Sequence, residues 1–203
     1  MATPDHDAKL VEIETDRPVW ERFFTVAPLV LVGTVDADGS LDLAPKHMVL
    51  PLGWDNYFGF VCAPDHSTCE NIERTGEFTV SFPRPEQILY TSLAASPRSA
   101  EGEKPVLQSY STFRARHVEG AFIEDAYLYF ECRHFRTIDG FGPNCLITGS
   151  IVAAYASPDF LRVSELDDQE LINHSPLLVY LAPGRFASVD RSNKFPFPVD
   201  MKK

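Results

Sequence analysis

No stretch of this sequence approaches the roughly 20 consecutive apolar residues that a membrane-spanning helix requires. The opening MATPDHDAKLVEIETDRP has neither the basic start nor the apolar run of a secretory signal. A cytoplasmic protein is therefore expected. Basic charge is also scarce. Lys and Arg number 18 against 29 Asp and Glu, a formal net charge of −11, which repels phosphate backbones and anionic bilayers over most of the surface. Neither nucleic acid nor a membrane is expected as a partner. Cysteine is sparse too: Cys62, Cys69, Cys132 and Cys145 are too far apart, in too long a chain, to announce a disulfide framework. Cys62, His66 and Cys69 carry zinc-type donors, but a fourth ligand such as Cys132 or His134 would have to come from a distant strand. No Cys-x-x-Cys pair announces one, so no metal site is read and the thiols are taken as buried or incidental. Finally, no Gly-x-Gly-x-x-Gly follows a strand and opens a helix, so by that test no Rossmann dinucleotide site is expected.

What remains is a core-forming composition. Hydrophobic residues make up 44% of the 203 residues and aromatics 12%, enough apolar surface for one globular domain. Pro28–Val35 (PLVLVGTV) and Ser40–Ala44 flank the turn Asp36–Gly39 and predict a β-hairpin. A second hairpin is predicted from His47–Leu52 and Tyr57–Cys62, joined by Gly53-Trp54-Asp55-Asn56. Ser67-Thr68-Cys69-Glu70 fits a capping box, with Ser67 as cap, and opens a helix that Gly76 stops. EFTVSF (Glu77–Phe82) alternates as a strand, and Pro85 is placed to open a second helix over Glu86–Ala95.

Ser96–Ser111 has no periodicity that would bury a face and reads as a solvated surface loop. Strands are then predicted over Thr112–His117, Ala126–Thr137, Asn144–Ala156 and Leu177–Ala182. A short helix is expected over Leu166–Asn173, with Ser164 as its cap. Antiparallel strands with short helices in their connections predict a mainly β fold, a Greek-key-type closed barrel rather than a doubly wound sheet.

The stretch Leu41–Asn71 (LDLAPKHMVLPLGWDNYFGFVCAPDHSTCEN), continued by ENIERTGEFTVSF, resembles the flavin-reductase-like, FMN-binding split β-barrel family. DAYLYFECR (Asp125–Arg133), LITGSIVAAYAS (Leu146–Ser157) and SPLLVYLAPGRFASV (Ser175–Val189) follow in the order of that family's later blocks, so the likeness runs from about Phe23 to Val189. It implies a split-barrel domain over residues 23–190, with an N-terminal extension (1–22) and a C-terminal tail (191–203). It further implies a homodimer with FMN near the subunit interface. Members include NAD(P)H-dependent flavin reductases, flavoredoxin-like electron carriers and reductase components of two-component monooxygenases. The activity implied is hydride transfer from NAD(P)H to bound FMN, then electron delivery to a small-molecule or protein acceptor. An electron carrier or sensor without NAD(P)H activity, and a flavin-free binding module, are the alternatives.

FMN asks for donors to a dianionic phosphate and for a slot edged with polar groups. The helix start at Ser67 and Thr68 offers unpaired amides, the positive end of a helix dipole and two hydroxyls. Taken alone, the same residues are an ordinary capping box. Asp65 and Glu70 set carboxylates beside the proposed phosphate, with Lys46 or Arg74 available to offset them. By the resemblance, Ala44, Pro45, Lys46, His47 and Met48 border the isoalloxazine ring, and Cys62 and Asn71 complete the candidate cofactor set. Lys46 or His47 would stabilise a reduced, anionic ring; alone, they are equally a solvated lysine and a half-buried strand histidine. Asp42 stands where the family usually has Asn, and Lys46-His47 where it has an aromatic-Ser pair. Lesser candidates are Phe82, a partner's His134, Phe141 and Gly142, and Arg98 and Lys104 receiving the nicotinamide cofactor's phosphate. No acid or base is assigned, because the cofactor carries the chemistry.

Overall fold

The computed structural model describes residues 10–99, 102, 104–162 and 168–198. In chain order the strands are β1 (Thr25–Pro28), β2 (Val30–Val35), β3 (Leu41–Lys46), β4 (Val49–Pro51), β5 (Tyr57–Cys62), β6 (Glu77–Phe82), β7 (Thr112–Arg114), β8 (Ala121–Ile123), β9 (Leu128–Phe141), β10 (Asn144–Ala156), β11 (Leu177–Ala182) and β12 (Arg185–Val189). The α-helices are α1 (Ser67–Thr75), α2 (Ile88–Leu93) and α3 (Asp168–His174). Seven strands form one antiparallel sheet in the order β3-β2-β6-β9-β10-β5-β4; β1-β11-β12 form a second sheet and β7-β8 a third.

The link between β3 and β4 forces the large sheet to curl. These strands occupy its two opposite edges, yet only His47 and Met48 separate them in sequence. Seven flat strands about 4.8 Å apart would put the edges about 29 Å from each other. The three Cα steps from Lys46 to Val49 reach at most about 11 Å. The sheet therefore rolls up until its edges nearly meet, and shifts of register between β9 and β10 help it bend. The result is mainly β with short helices, the Greek-key-type barrel that alternation and turn chemistry predict, in the split form that the family resemblance implies.

The two-residue period of the strands sorts the interior. On β2, Val30 and Val32 enter one core cluster while Leu31, between them, enters another. On β6, Phe78, Val80 and Phe82 pack into the first cluster, beside the aromatic rings of Phe58, Phe60 and Tyr127. The intervening Thr79 and Ser81 face β8 instead: Thr79 Oγ1 donates to the Ala121 carbonyl at 2.6 Å, and Ser81 Oγ accepts from Ile123 N–H at 3.3 Å. Helix α1 closes one side of the barrel with Ile72 fully buried, and Gly76 ends it at φ 72°, a conformation that favours glycine. Glu131, buried on β9, accepts the amides of Arg116, His117 and Val118 at 3.0, 2.5 and 3.1 Å and the Tyr155 hydroxyl at 2.9 Å. A charge removed from water is thus fully solvated by the 116–118 turn.

Several boundaries differ from the sequence expectations. Ser67 is not a cap: His66 occupies that position, no side chain caps the helix, and Glu70 is exposed, so the capping box does not form. The predicted helix over Glu86–Ala95 is a 3-10 turn, Pro85–Gln87, followed by α2. The loop Ser96–Ser111 contains a 3-10 helix, Pro105–Ser109. Strands β1, β8 and β12 have no counterpart among the predicted strands, β7 ends at Arg114 rather than His117, and β9 begins later and runs four residues further than expected. Helix α3 falls where a helix was expected, while the cap assigned to Ser164 lies outside the described residues. Among the described residues no helix is long and apolar enough to cross a membrane.

Candidate functional site

The end of β3 and the start of α1 face each other across a cleft of about 450 Å³. Ala44, Pro45 and Lys46 form one side, Asp65, His66, Ser67 and Thr68 the opposite side, and the segment after α2, Ala94–Arg98 with Lys104, the third. Five of the nine candidate cofactor residues thus converge: Ala44, Pro45, Lys46, Ser67 and Thr68. No hydrogen bond among the described residues engages the backbone N–H or the hydroxyl of Ser67 or Thr68. Because α1 lacks a side-chain cap, its first amides and its dipole are presented to the cleft uncompensated. The failed capping box is what leaves these donors without a side-chain partner.

Three cations, Lys46, Arg98 and Lys104, and two carboxylates, Asp42 and Asp65, line the cleft. Lys46 has no carboxylate partner among the described residues; its Nζ donates to Cys62 Sγ at 3.4 Å. Asp42, which from sequence alone looks hostile to a phosphate, is buried at 3% exposure and neutralised by Lys104 Nζ at 3.0 Å and Arg98 Nη2 at 3.3 Å. Lys104 also donates to the Leu43 carbonyl at 3.0 Å, and Arg98 reaches Asp36 at 2.9 Å. The loop expected to be merely solvated is therefore a strap, pinned by ion pairs to the β2–β3 hairpin and forming a wall of the cleft. Pairs spanning 62 residues leave no local trace in the sequence, and the only available signal was two cations in a polar loop of an acidic chain.

The remaining candidates lie elsewhere. Asn71, on the buried face of α1, turns away from the cleft candidates to the β2–β3 hairpin: Nδ2 donates to Asp36 at 2.8 Å and to Thr34 at 3.1 Å, and Oδ1 accepts from Arg74 at 3.2 Å. Its role is to tie the helix to the hairpin. Cys62 is buried beneath Lys46, and Met48 is exposed on the β3–β4 link. Cys69 and Cys145 place their sulfurs 3.9 Å apart. Burial pushes the Cys69 thiol up to about 12, with Cys145 adding to the shift. Among the described residues no group of three or more His, Cys, Asp or Glu side chains is arranged to hold a metal ion.

His47 lines a second cleft, of about 650 Å³, that shares Pro45 and Ala95 with the first. Its ring packs on Tyr180 of β11, centroids 4.4 Å apart. Burial, reinforced by the Lys46 ammonium, holds His47 below the usual histidine range and so favours its neutral form. Together the clefts make a trough with free donors at one end and an aromatic pair at the other. Tyr180 was not singled out from the sequence, since a strand tyrosine looks like core.

Residues 23–182 match the flavin reductase like domain family, about four-fifths of the chain. The chain belongs to that family. The match carries flavin-related oxidoreductase chemistry with it. An uncharacterised protein of Methanothermobacter thermautotrophicus is 25% identical over 177 residues, covering 83% of this chain and 82% of its own length. Nitrilotriacetate monooxygenase component B from Bacillus cereus superposes with a TM-score of 0.77 at 15% identity, over 92% of this chain and 98% of its own. Flavoredoxin from Methanosarcina acetivorans gives 0.74 at 20% identity, over 94% and 97%. At such identities these two structures establish the split-barrel fold and no more.

Proposed function

We propose that this flavin reductase-like protein binds FMN in the trough and acts as an NAD(P)H-dependent oxidoreductase that passes electrons to a small-molecule or protein acceptor in the cytoplasm. The observation that carries this reading is the set of unengaged donors at Ser67 and Thr68, opposite Lys46, in a chain whose family handles flavins. The residues fit the group. A phosphate dianion at the start of α1 would meet two amides, two hydroxyls, the helix dipole and the Lys46 ammonium. The pairing of Asp42 with Lys104 and Arg98 removes the nearest buried repulsion. Ala44 and Pro45 then line the path toward His47, where the ring of the cofactor would lie. When bound, the flavin supplies the two-electron chemistry. The protein holds it, keeps a neutral imidazole and a lysine at its edge, and excludes water with the strap.

We place FMN near the interface of a homodimer. In support, Phe135, Ile138 and Phe141 of β9 and Val152 of β10 are 41–54% exposed, and Trp54 is 98% exposed. A second copy would remove this apolar surface from water.

The test is the visible spectrum of the purified protein, reconstituted with FMN and then given NADH or NADPH without oxygen. A flavin band that bleaches on addition supports the proposal. Bleaching with a protein donor but not with either nucleotide would assign an electron carrier instead. A protein that neither shows a flavin band nor quenches FMN fluorescence would overturn the reading altogether.

A further inference from the structure

All four cysteines belong to one core cluster, but their neighbours differ. Cys62 and Cys145 are directly paired across β5 and β10. Cα partners in an antiparallel pair lie about 4.5–5.5 Å apart, within the about 4.4–6.8 Å that a disulfide spans. Such partners project from the same face of the sheet, and Cys145 Sγ already donates to the Cys62 carbonyl at 3.3 Å. Cys62 is also the thiol that meets the first cleft: its Sγ accepts from Lys46 Nζ at 3.4 Å and stands 4.0 Å from His66 Nδ1, and both residues line that cleft. Cys69 has Glu73 Oε1 and Cys145 Sγ as neighbours, each at 3.9 Å, while Cys132 on β9 is paired with Phe78 and Ile151. A cation and an imidazole are the surroundings in which a sulfur reacts; apolar burial and a carboxylate are those in which it does not.

We propose that Cys62 and Cys145 form a redox-sensitive dithiol, which hydrogen peroxide arriving through the first cleft converts to a reversible cross-strand disulfide. In the first step the Cys62 thiol gives its proton to His66 Nδ1, and its sulfur attacks one peroxide oxygen. The O–O bond breaks, the departing oxygen leaves as water, and Cys62 becomes a sulfenic acid. The Cys145 sulfur then attacks the Cys62 sulfur. The S–O bond breaks, and hydroxide leaves with the Cys145 proton as a second water. Two thiols are oxidised by two electrons, and one peroxide is reduced to two waters. Cys145 is the resolving thiol because it lies opposite Cys62 in register, and the shared pair of strands holds the two at high effective concentration. The new bond draws Cys62 Sγ toward Cys145 and removes the acceptor that now holds Lys46, so oxidation loosens the cation facing Ser67 and Thr68. That consequence for the cofactor rests on the reading of the first cleft given above; the disulfide itself does not.

The experiment treats the reduced full-length protein with a small excess of hydrogen peroxide, alkylates the remaining thiols in urea and locates any disulfide by peptide mapping. A parallel sample contains dimedone, which traps a sulfenic acid. The expected map joins Cys62 to Cys145, leaves Cys69 and Cys132 alkylated, and reverts with dithiothreitol; dimedone is expected on Cys62. Cys62→Ser is expected to slow the loss of the Cys145 thiol at least tenfold, and Cys145→Ala to let the dimedone-reactive form of Cys62 accumulate. The map and the trap use the unsubstituted protein, so they decide the question even where a variant fails to fold. A Cys69–Cys145 disulfide, dimedone on any cysteine other than Cys62, or recovery of all four thiols after peroxide overturns the proposal. FMN is then titrated into both forms, and the oxidised one is expected to bind at least threefold more weakly. Equal affinity overturns the coupling through Lys46 and leaves the disulfide. A reduced protein that does not bind FMN removes the flavin reading, whereas the peptide map still decides this one.

Discussion

Thr68→Val tests the anion site with little disturbance of the fold. Thr68 is 2% exposed and nearly isosteric with valine, so the helix keeps its β-branched side chain and its packing. Its hydroxyl bonds to nothing among the described residues, so its removal breaks no intramolecular hydrogen bond. What the variant loses is a donor to the ligand. A hydrogen bond to a charged group contributes about 1.5–3 kcal/mol, and each 1.4 kcal/mol is about a factor of ten. The Kd for FMN should therefore rise about 10- to 150-fold, and Ser67→Ala should give a loss of the same order. Quenching of FMN fluorescence at low ionic strength reads the affinity, and a thermal melt without FMN reads the fold. The apo melting temperature should be unchanged in Thr68→Val. A change in Kd of less than about threefold in both variants would place the phosphate elsewhere. A lowered apo melting temperature would show that the hydroxyl is structural, and the reasoning would fail at its first step.

Other consequences can be checked independently. Burial opposes ionisation of Glu131, but the Arg116 and His117 amides and the Tyr155 hydroxyl outweigh it and hold the carboxyl below its usual range. Asp159 is lowered to about 2, by Ser157 first, with Arg84 and Ser175 adding to the effect. Groups with depressed folded values stabilise above their unfolded pKa, about 4, and that contribution is lost as pH falls through the folded values. Denaturant midpoints should therefore drop steeply between about pH 4 and pH 2, and Glu131→Gln should flatten its share of the slope; midpoints independent of pH there would refute the assignment. Gly149→Ala sets a Cβ 2.6 Å from the Phe78 ring and 3.0 Å from the Arg133 carbonyl. Such overpacking should cost about 1–3 kcal/mol in urea unfolding. In thiol labelling of the native protein, Cys69, Cys132 and Cys145 should be protected, because burial raises all three thiols. Cys62, in contact with Lys46, should react first, and all four should react once urea unfolds the chain.

The amino-acid sequence determined what depends on local pattern. Strands β5, β6, β10 and β11 follow from alternation and turn residues, because a strand with one buried face must repeat every two residues. The stop at Gly76 follows from a residue free to adopt positive φ. The ordered blocks from Leu41 onward were enough to indicate the family. Tertiary structure decided which distant residues share a site. The ion pairs from Lys104 and Arg98 to Asp42 and the packing of His47 on Tyr180 join segments whose separation in sequence carries no periodic signal. The candidate residue Asn71 proved to be committed to the Asp36–Thr34 network, and the Ser67–Glu70 motif proved not to cap its helix. In both cases the physical reason is the same. A short motif specifies which bonds a side chain is able to make, whereas curling of the seven-stranded sheet and docking of the strap decide which partners come within reach.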